Sequence, residues 1–185
     1  MLGYRLLNTD HRVRLHSHDV KYGTGSGQQS VTGLDIQEDV NSHWIVKAAN
    51  TQACPRGEPI KCGSTLRLEH LATKKNLHSH YFSSPLSGSQ EISCYGDDEG
   101  EGDSGDNWIV VCSGDYWLRD DSVMLKHKDT DQYLAASGRT FGRPINGQME
   151  IVGLESSSGS VHWQAAEGIY LHAPDFAAKH VHTEL

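Results

Sequence analysis

Apolar and polar residues alternate along short stretches of this chain, and the stretches recur in one order. Between Tyr4 and His18 the pattern predicts two strands around a turn at Asn8-Thr9-Asp10-His11. The two-residue period of a strand turns Val13 and Leu15 to one side, and Arg14, His16 and His18 to the other. A short strand is expected from Ser30 to Gly33, then an acidic polar loop to Ser42, then a closing strand at His43-Trp44-Ile45-Val46. Alternation resumes at Leu66-Arg67-Leu68-Glu69-His70, with a turn at Thr73-Lys74-Lys75. It returns at Val123-Met124-Leu125-Lys126-His127, followed by a turn at Asp129-Thr130-Asp131, Tyr133-Leu134, and a last strand at Glu167-Gly168-Ile169-Tyr170-Leu171.

The order of these stretches is a threefold repeat. Leu15-His16-Ser17-His18 returns as Leu77-His78-Ser79-His80 and, degraded, as Leu134-Ala135-Ala136-Ser137. Each copy leads to a glycine-bearing stretch, then a glutamine-led segment starting at Gln28, Gln90 or Gln148, then a tryptophan: Trp44, Trp108 or Trp163. Three markers in one order, about 60 residues apart, define an internal repeat. Each repeat carries about four short strands between turn signals, the signature of an all-β sandwich or barrel. One such unit cannot bury its apolar edge alone; three around a pseudo-threefold axis share a core and leave few strand edges open. The expected fold is a β-trefoil over residues 1–171, with repeats near 1–50, 57–112 and 113–168 and a flexible tail at 172–185. The three tryptophans, with Val31, Ile92 and Ile151, are expected in its core.

Composition changes little in this picture but excludes some functions. A formal net charge of −8 opposes binding to a phosphate backbone, and no apolar run is long enough for a membrane helix. Met1-Leu2-Gly3-Tyr4-Arg5 runs directly into strand-like sequence, as expected if a signal peptide has been removed. The chain closes on His182-Thr183-Glu184-Leu185, one letter from the Lys/His-Asp-Glu-Leu retrieval signal of the endoplasmic reticulum, with Thr183 where that signal has aspartate. An oxidising lumen permits disulfides. Cys54 and Cys62 bracket a turn-rich joint and are the candidate pair; Cys94 and Cys112 either pair across the second repeat or remain buried thiols. No Cys-x-x-Cys suggests zinc, and no Asn-x-Ser/Thr sequon occurs.

The candidate chemistry sits on the repeated string. His16 with His18, and His78 with His80, lie two apart on a strand and share a face. Two imidazoles at that spacing can hold a metal, but no third ligand is evident, so an architectural or solvent-facing pair is expected and no metal. These faces are candidate sites for carbohydrate or peptide, with Asp19, Tyr22, Gln28 and Gln29 supplying hydrogen bonds. The glycines from Gly23 to Gly27 lack the strand and helix of a phosphate cradle. The acidic stretch Asp97–Asp106 does not fit an EF-hand and is expected to be a solvated loop. No Gly-x-Ser-x-Gly or His-Glu-x-x-His motif is present. The expectation is a non-enzyme without cofactor.

Arg14-Leu15-His16-Ser17-His18-Asp19, the run Tyr22–Gly33 and the closing Trp44 resemble the MIR motif. That motif is shared by protein O-mannosyltransferases and by the inositol trisphosphate and ryanodine receptors. With three such units over residues 4–171, the whole chain resembles the stromal cell-derived factor 2 family. The third repeat departs from it, having Ala135-Ala136-Ser137 where the pattern has His-Ser-His. The resemblance implies a β-trefoil in the endoplasmic reticulum lumen, with a non-enzymatic adaptor role in folding and quality control. It implies as partners a J-domain co-chaperone, a lumenal chaperone and misfolded clients. A lectin-like module for mannose-type glycans is the alternative.

Overall fold

A computed structural model describes residues 2–50, 52, 57–97 and 99–170. Twelve strands run through it: β1 (Leu2–Asn8), β2 (Arg14–Lys21), β3 (Gln29–Leu34), β4 (Trp44–Ala48), β5 (Thr65–His70), β6 (Asn76–Ser83), β7 (Gln90–Tyr95), β8 (Trp108–Val111), β9 (Ser122–His127), β10 (Tyr133–Thr140), β11 (Met149–Leu154) and β12 (Trp163–Tyr170). Single 3-10 turns at Val40–Ser42 and Ser104–Asp106 precede β4 and β8.

The first and last strand of each four-strand unit close a barrel. Antiparallel pairing runs β1–β4–β5–β8–β9–β12 and back to β1, so the barrel has no free edge. The middle strands form hairpins β2–β3, β6–β7 and β10–β11. Their second strands pair with one another, β3 with β7, β7 with β11 and β11 with β3, and close a triangular cap. A six-stranded barrel under three hairpins is a β-trefoil.

Threefold equivalence extends to single hydrogen bonds. The indole Nε1 of Trp44 donates to Leu15 O at 2.8 Å, that of Trp108 to Leu77 O at 2.9 Å, and that of Trp163 to Leu134 O at 2.8 Å. All three indoles are fully buried with Leu15, Leu77, Leu134, Val31, Ile92 and Ile151. Arg12, Lys74 and Asp131 take the same left-handed conformation (φ 58°, 62° and 60°) in the first turn of each unit. Beside them Asn8, His70 and His127 occupy one equivalent place. His70 Nδ1 lies 2.8 Å from Thr73 Oγ1 and its Nε2 2.8 Å from Asn41 O; His127 repeats both contacts with Thr130 and Gly105.

Two sequence expectations are corrected. Cys62 is bonded to Cys112, not to Cys54, which lies outside the described residues. The bridge ties the start of the second unit to its end, because β5 and β8 are barrel neighbours, and Cys94 stays a free thiol in the core. The acidic stretch is not wholly solvated: Asp106 is fully buried, and the ammonium groups of Lys47 and Lys75 donate to Gly100 O and Gly96 O. The tail and its retrieval-like residues His182, Thr183, Glu184 and Leu185 lie outside the described residues.

Candidate functional site

Strict alternation puts His16 on the outer face of β2, yet Arg14, Leu15, His16 and Ser17 are all buried. The 3-10 turn Val40–Ser42 covers that outer face. Asp39, just ahead of the turn, places Oδ2 2.8 Å from His16 Nδ1, and Ser42 Oγ donates to the same oxygen at 2.7 Å. With its Nδ1 proton held by the carboxylate, neutral His16 accepts at Nε2 from His18 Nδ1, 2.9 Å away. Burial lowers the pKa of His16 against the opposing effect of Asp39, and burial followed by the neighbouring His16 lowers that of His18. Burial acts to raise the pKa of Asp39, but hydrogen bonds from Ser42 and His16 outweigh it and the net shift is downward.

The second unit repeats the theme with more charge. His78 Nδ1 lies 2.9 Å from Asp106 Oδ1 and 3.6 Å from Asp103 Oδ1. Asp103 holds the position of Asp39, five residues before the tryptophan, and Asp106 that of Ser42. The turn can approach because Gly105 has no side chain; a Cβ there would meet His78 Cε1 at 2.4 Å. His78, Asp103 and Asp106 bring three potential metal-ligand atoms within 4.8 Å of one another. Those atoms already serve the turn: Asp103 Oδ1 accepts from Gly105 N, and Asp106 Oδ2 from Asp103 N and Asn76 Nδ2. His80 places Nε2 3.5 Å from Oε1 of the buried Glu91, and its pKa is lowered by burial, then by His78. In the third unit Ala135, Val152 and Val161 form a small apolar cluster where the other units hold these polar groups.

The remaining candidates divide between interior and surface. Tyr22 is buried, its hydroxyl 2.9 Å from Ile92 O and 3.1 Å from Val31 O, where the hairpins meet. Gln28 Oε1 accepts from Ser93 Oγ at 2.6 Å. Gln29 is buried and donates to Ser17 Oγ and Thr73 Oγ1, as Gln90 does to Ser79 and Thr130 in the second unit. Asp19 is exposed, and His18 and His80 are partly so. Of the eight candidates, then, Asp19 is exposed and His18, Gln28 and His80 are half-buried, with buried His16 hydrogen-bonded to His18 and buried His78 packed edge-on against His80.

Sequence reasoning passed over an aromatic strip on the second unit. The rings of Phe82, His80, His78 and Tyr95 form a continuous series, with successive centroids 4.6, 4.9 and 4.9 Å apart. Tyr81 is 84% exposed, Phe82 47% and Tyr95 40%. By strand register Tyr95 is equivalent to Leu34 and Leu154. Counting on from His18, His80 and Ser137, Tyr81 and Phe82 are equivalent to Asp19 and Val20, and to Gly138 and Arg139. The fold therefore does without aromatics at these places twice over. The signal available beforehand was their occurrence immediately after only one copy of the repeated string.

At the barrel end away from the hairpins lies a largely apolar cavity of 370 Å³, walled by Tyr4, Leu6, Trp44, Val46, Ile60 and Trp117 among others. None of the candidate residues lines it. No helix among the described residues is long and apolar enough to cross a membrane.

Comparison with known proteins places these features in context. The profile of the MIR domain matches residues 5–111. Stromal cell-derived factor 2 of Mus musculus is 52% identical over 178 residues, covering 96% of this chain and 84% of the mouse protein. The crystal structure of the SDF2-like protein from Arabidopsis thaliana aligns with a TM-score of 0.87 at 44% identity, over 92% of this chain and 94% of that one. A chain of the S. cerevisiae protein O-mannosyltransferase complex bound to the sugar donor aligns with a TM-score of 0.80 at 26% identity, over 95% of this chain and 26% of its own length.

Proposed function

Because the chain belongs to the stromal cell-derived factor 2 family of MIR-domain proteins, we propose that it is a non-enzymatic adaptor of the protein-folding machinery in the endoplasmic reticulum lumen. In this role it joins a J-domain co-chaperone and its chaperone to misfolded clients. The observation that carries the reading is the exposed aromatic strip that runs from Phe82 to Tyr95, with the exposed Tyr81 next to Phe82 in sequence, surface chemistry that the other two repeats show the fold does not require. Large aromatic side chains concentrate binding energy at protein interfaces. The retrieval-like His182-Thr183-Glu184-Leu185 supports residence in the lumen.

The test is co-purification from lumenal extract, with the wild-type chain beside a Tyr81→Ser/Phe82→Ser variant. A J-domain protein and its chaperone are expected with the wild type and depleted with the variant; recovery of no chaperone partner overturns the proposal. A lectin-like role is the second reading, favoured by the likeness to a chain of a mannosyltransferase complex and by the exposed Asp19 beside His18. Mannose-type glycans binding on an array, with loss of signal in Asp19→Ala, would support it, and a flat array would sink it.

A further inference from the structure

Resting on the adaptor reading, we infer that the second-repeat strip is a receptor for a basic, arginine-bearing segment of a protein partner. The aromatic faces alone would suit many ligands; the charges around them narrow the choice. Asp103, with 57% of its side chain exposed, stands 3.6 Å from the His78 ring in the middle of the series. Asp129 adjoins the strip from the third unit: Tyr81 Oη approaches Asp129 O at 3.5 Å, and Asp129 Oδ2 accepts from Ser104 Oγ at 2.6 Å. Beyond Tyr95 the chain runs into Asp97, Glu99 and Glu101, all exposed. Among the described residues no lysine or arginine forms an ion pair with any of these five carboxylates.

Exposed rings bordered by carboxylates that no lysine or arginine neutralises match one side chain best. A guanidinium stacks flat on an aromatic face, is held there by the ring quadrupole, and presents N–H groups at its edge to carboxylates. The molecule already uses related chemistry on itself: Lys126 Nζ sits 5.9 Å from the centroid of Tyr133 while pairing with Asp131 at 2.7 Å. On the second unit the rings and the acids are present, but among the described residues no cation lies over the rings; the ammonium groups of Lys47 and Lys75 go to the backbone carbonyls of Gly100 and Gly96 instead. The equivalent surface of the third unit has Arg139 in place of Phe82, so the preference for a basic partner is confined to one of the three hairpins.

The experiment uses the full chain and a fluorescein-labelled peptide of alternating arginine, glycine and serine, read by polarisation. A matched peptide in which citrulline replaces arginine keeps the shape and removes the charge. Binding of the arginine peptide is expected, at least tenfold tighter than the citrulline peptide and weakened by salt. A tenfold or greater loss is expected in Tyr81→Ser/Phe82→Ser and also in Asp103→Asn/Asp129→Asn, with no change in Arg139→Ser. Thermal melts confirm that each variant is folded, and Asp129→Asn alone serves if the double carboxylate variant is not. Absence of binding, equal binding of the citrulline peptide, or full binding by the aromatic variant overturns the inference. If chaperone partners co-purify in a strip-dependent way while the arginine peptide fails to bind, the adaptor reading stands and the partner chemistry assigned here falls. If the peptide binds through the strip but extract yields no chaperone, the adaptor reading falls and the basic-segment receptor remains.

Discussion

The three tryptophans carry a hydrogen bond that apolar burial alone does not explain. Each indole N–H saturates a leucine carbonyl at the start of a hairpin, inside a region that excludes water. A phenylalanine at any of them fills much of the space but takes the indole donor away from that carbonyl. Leaving a buried polar group unsatisfied costs about 1–3 kcal/mol. Trp44→Phe, Trp108→Phe and Trp163→Phe are each expected to lose stability in that range, by amounts close to one another, in urea titrations. A large loss at one and none at the others would mean that the three sites are not energetically equivalent. A harsher change is His78→Ala, which removes the donor to Oδ1 of the fully buried Asp106 carboxylate and leaves it Asp103 N and Asn76 Nδ2, both on Oδ2. Leaving a buried polar atom without its partner costs about 1–3 kcal/mol, more for a charged group, so this variant should melt below His16→Ala, whose partner Asp39 keeps Ser42 and some access to water.

Among the elements, the second unit alone is stapled. Its disulfide joins Cys62 to Cys112 across a sequence separation of 50, on segments that flank the paired strands β5 and β8. In the chain-entropy account a closed loop of that length stabilises the fold by about 4 kcal/mol. Reduction, or Cys112→Ser, is therefore expected to lower the melting temperature substantially, and a non-reducing digest should yield a peptide pair linking Cys62 to Cys112. The hairpins are held differently, two of them locked by a carboxylate of a neighbour. Buried Glu91 on β7 accepts from Ser26 N in the first unit, and buried Glu150 on β11 accepts from Leu86 N and Ser87 N in the second. At the corresponding place on β3 stands Ser30, so the interlock is carried by two carboxylates rather than three.

For the whole molecule, the trefoil was legible because its period is written in residues the core needs: a leucine, a glutamine-led strand and a tryptophan per unit. The surroundings of the histidines were not, because their partners come from elsewhere in the chain. Asp39 lies 23 residues from His16 and Asp106 lies 28 from His78, and a two-residue alternation cannot say that a 3-10 turn will cover the outer face of a strand. The same distance hid the disulfide, since Cys54 and Cys62 are close in sequence while Cys62 and Cys112 are brought together only by barrel closure. This burial of histidines has a consequence for acid stability. Desolvation pushes His70 down to about 4, and burial also lowers His16 and His127. A histidine depressed in the folded state binds its proton more readily when unfolded, so stability is full above the unfolded pKa near 6.5 and falls as pH drops toward the folded value. Between pH 7.5 and pH 5.0, His70 alone accounts for about 2 kcal/mol of that loss. His70→Gln, which removes the titration, should give a fold less stable at pH 7.5 but with a visibly flatter decline to pH 5.0 in paired urea titrations; parallel declines in variant and wild type would show that His70 does not carry the acid sensitivity.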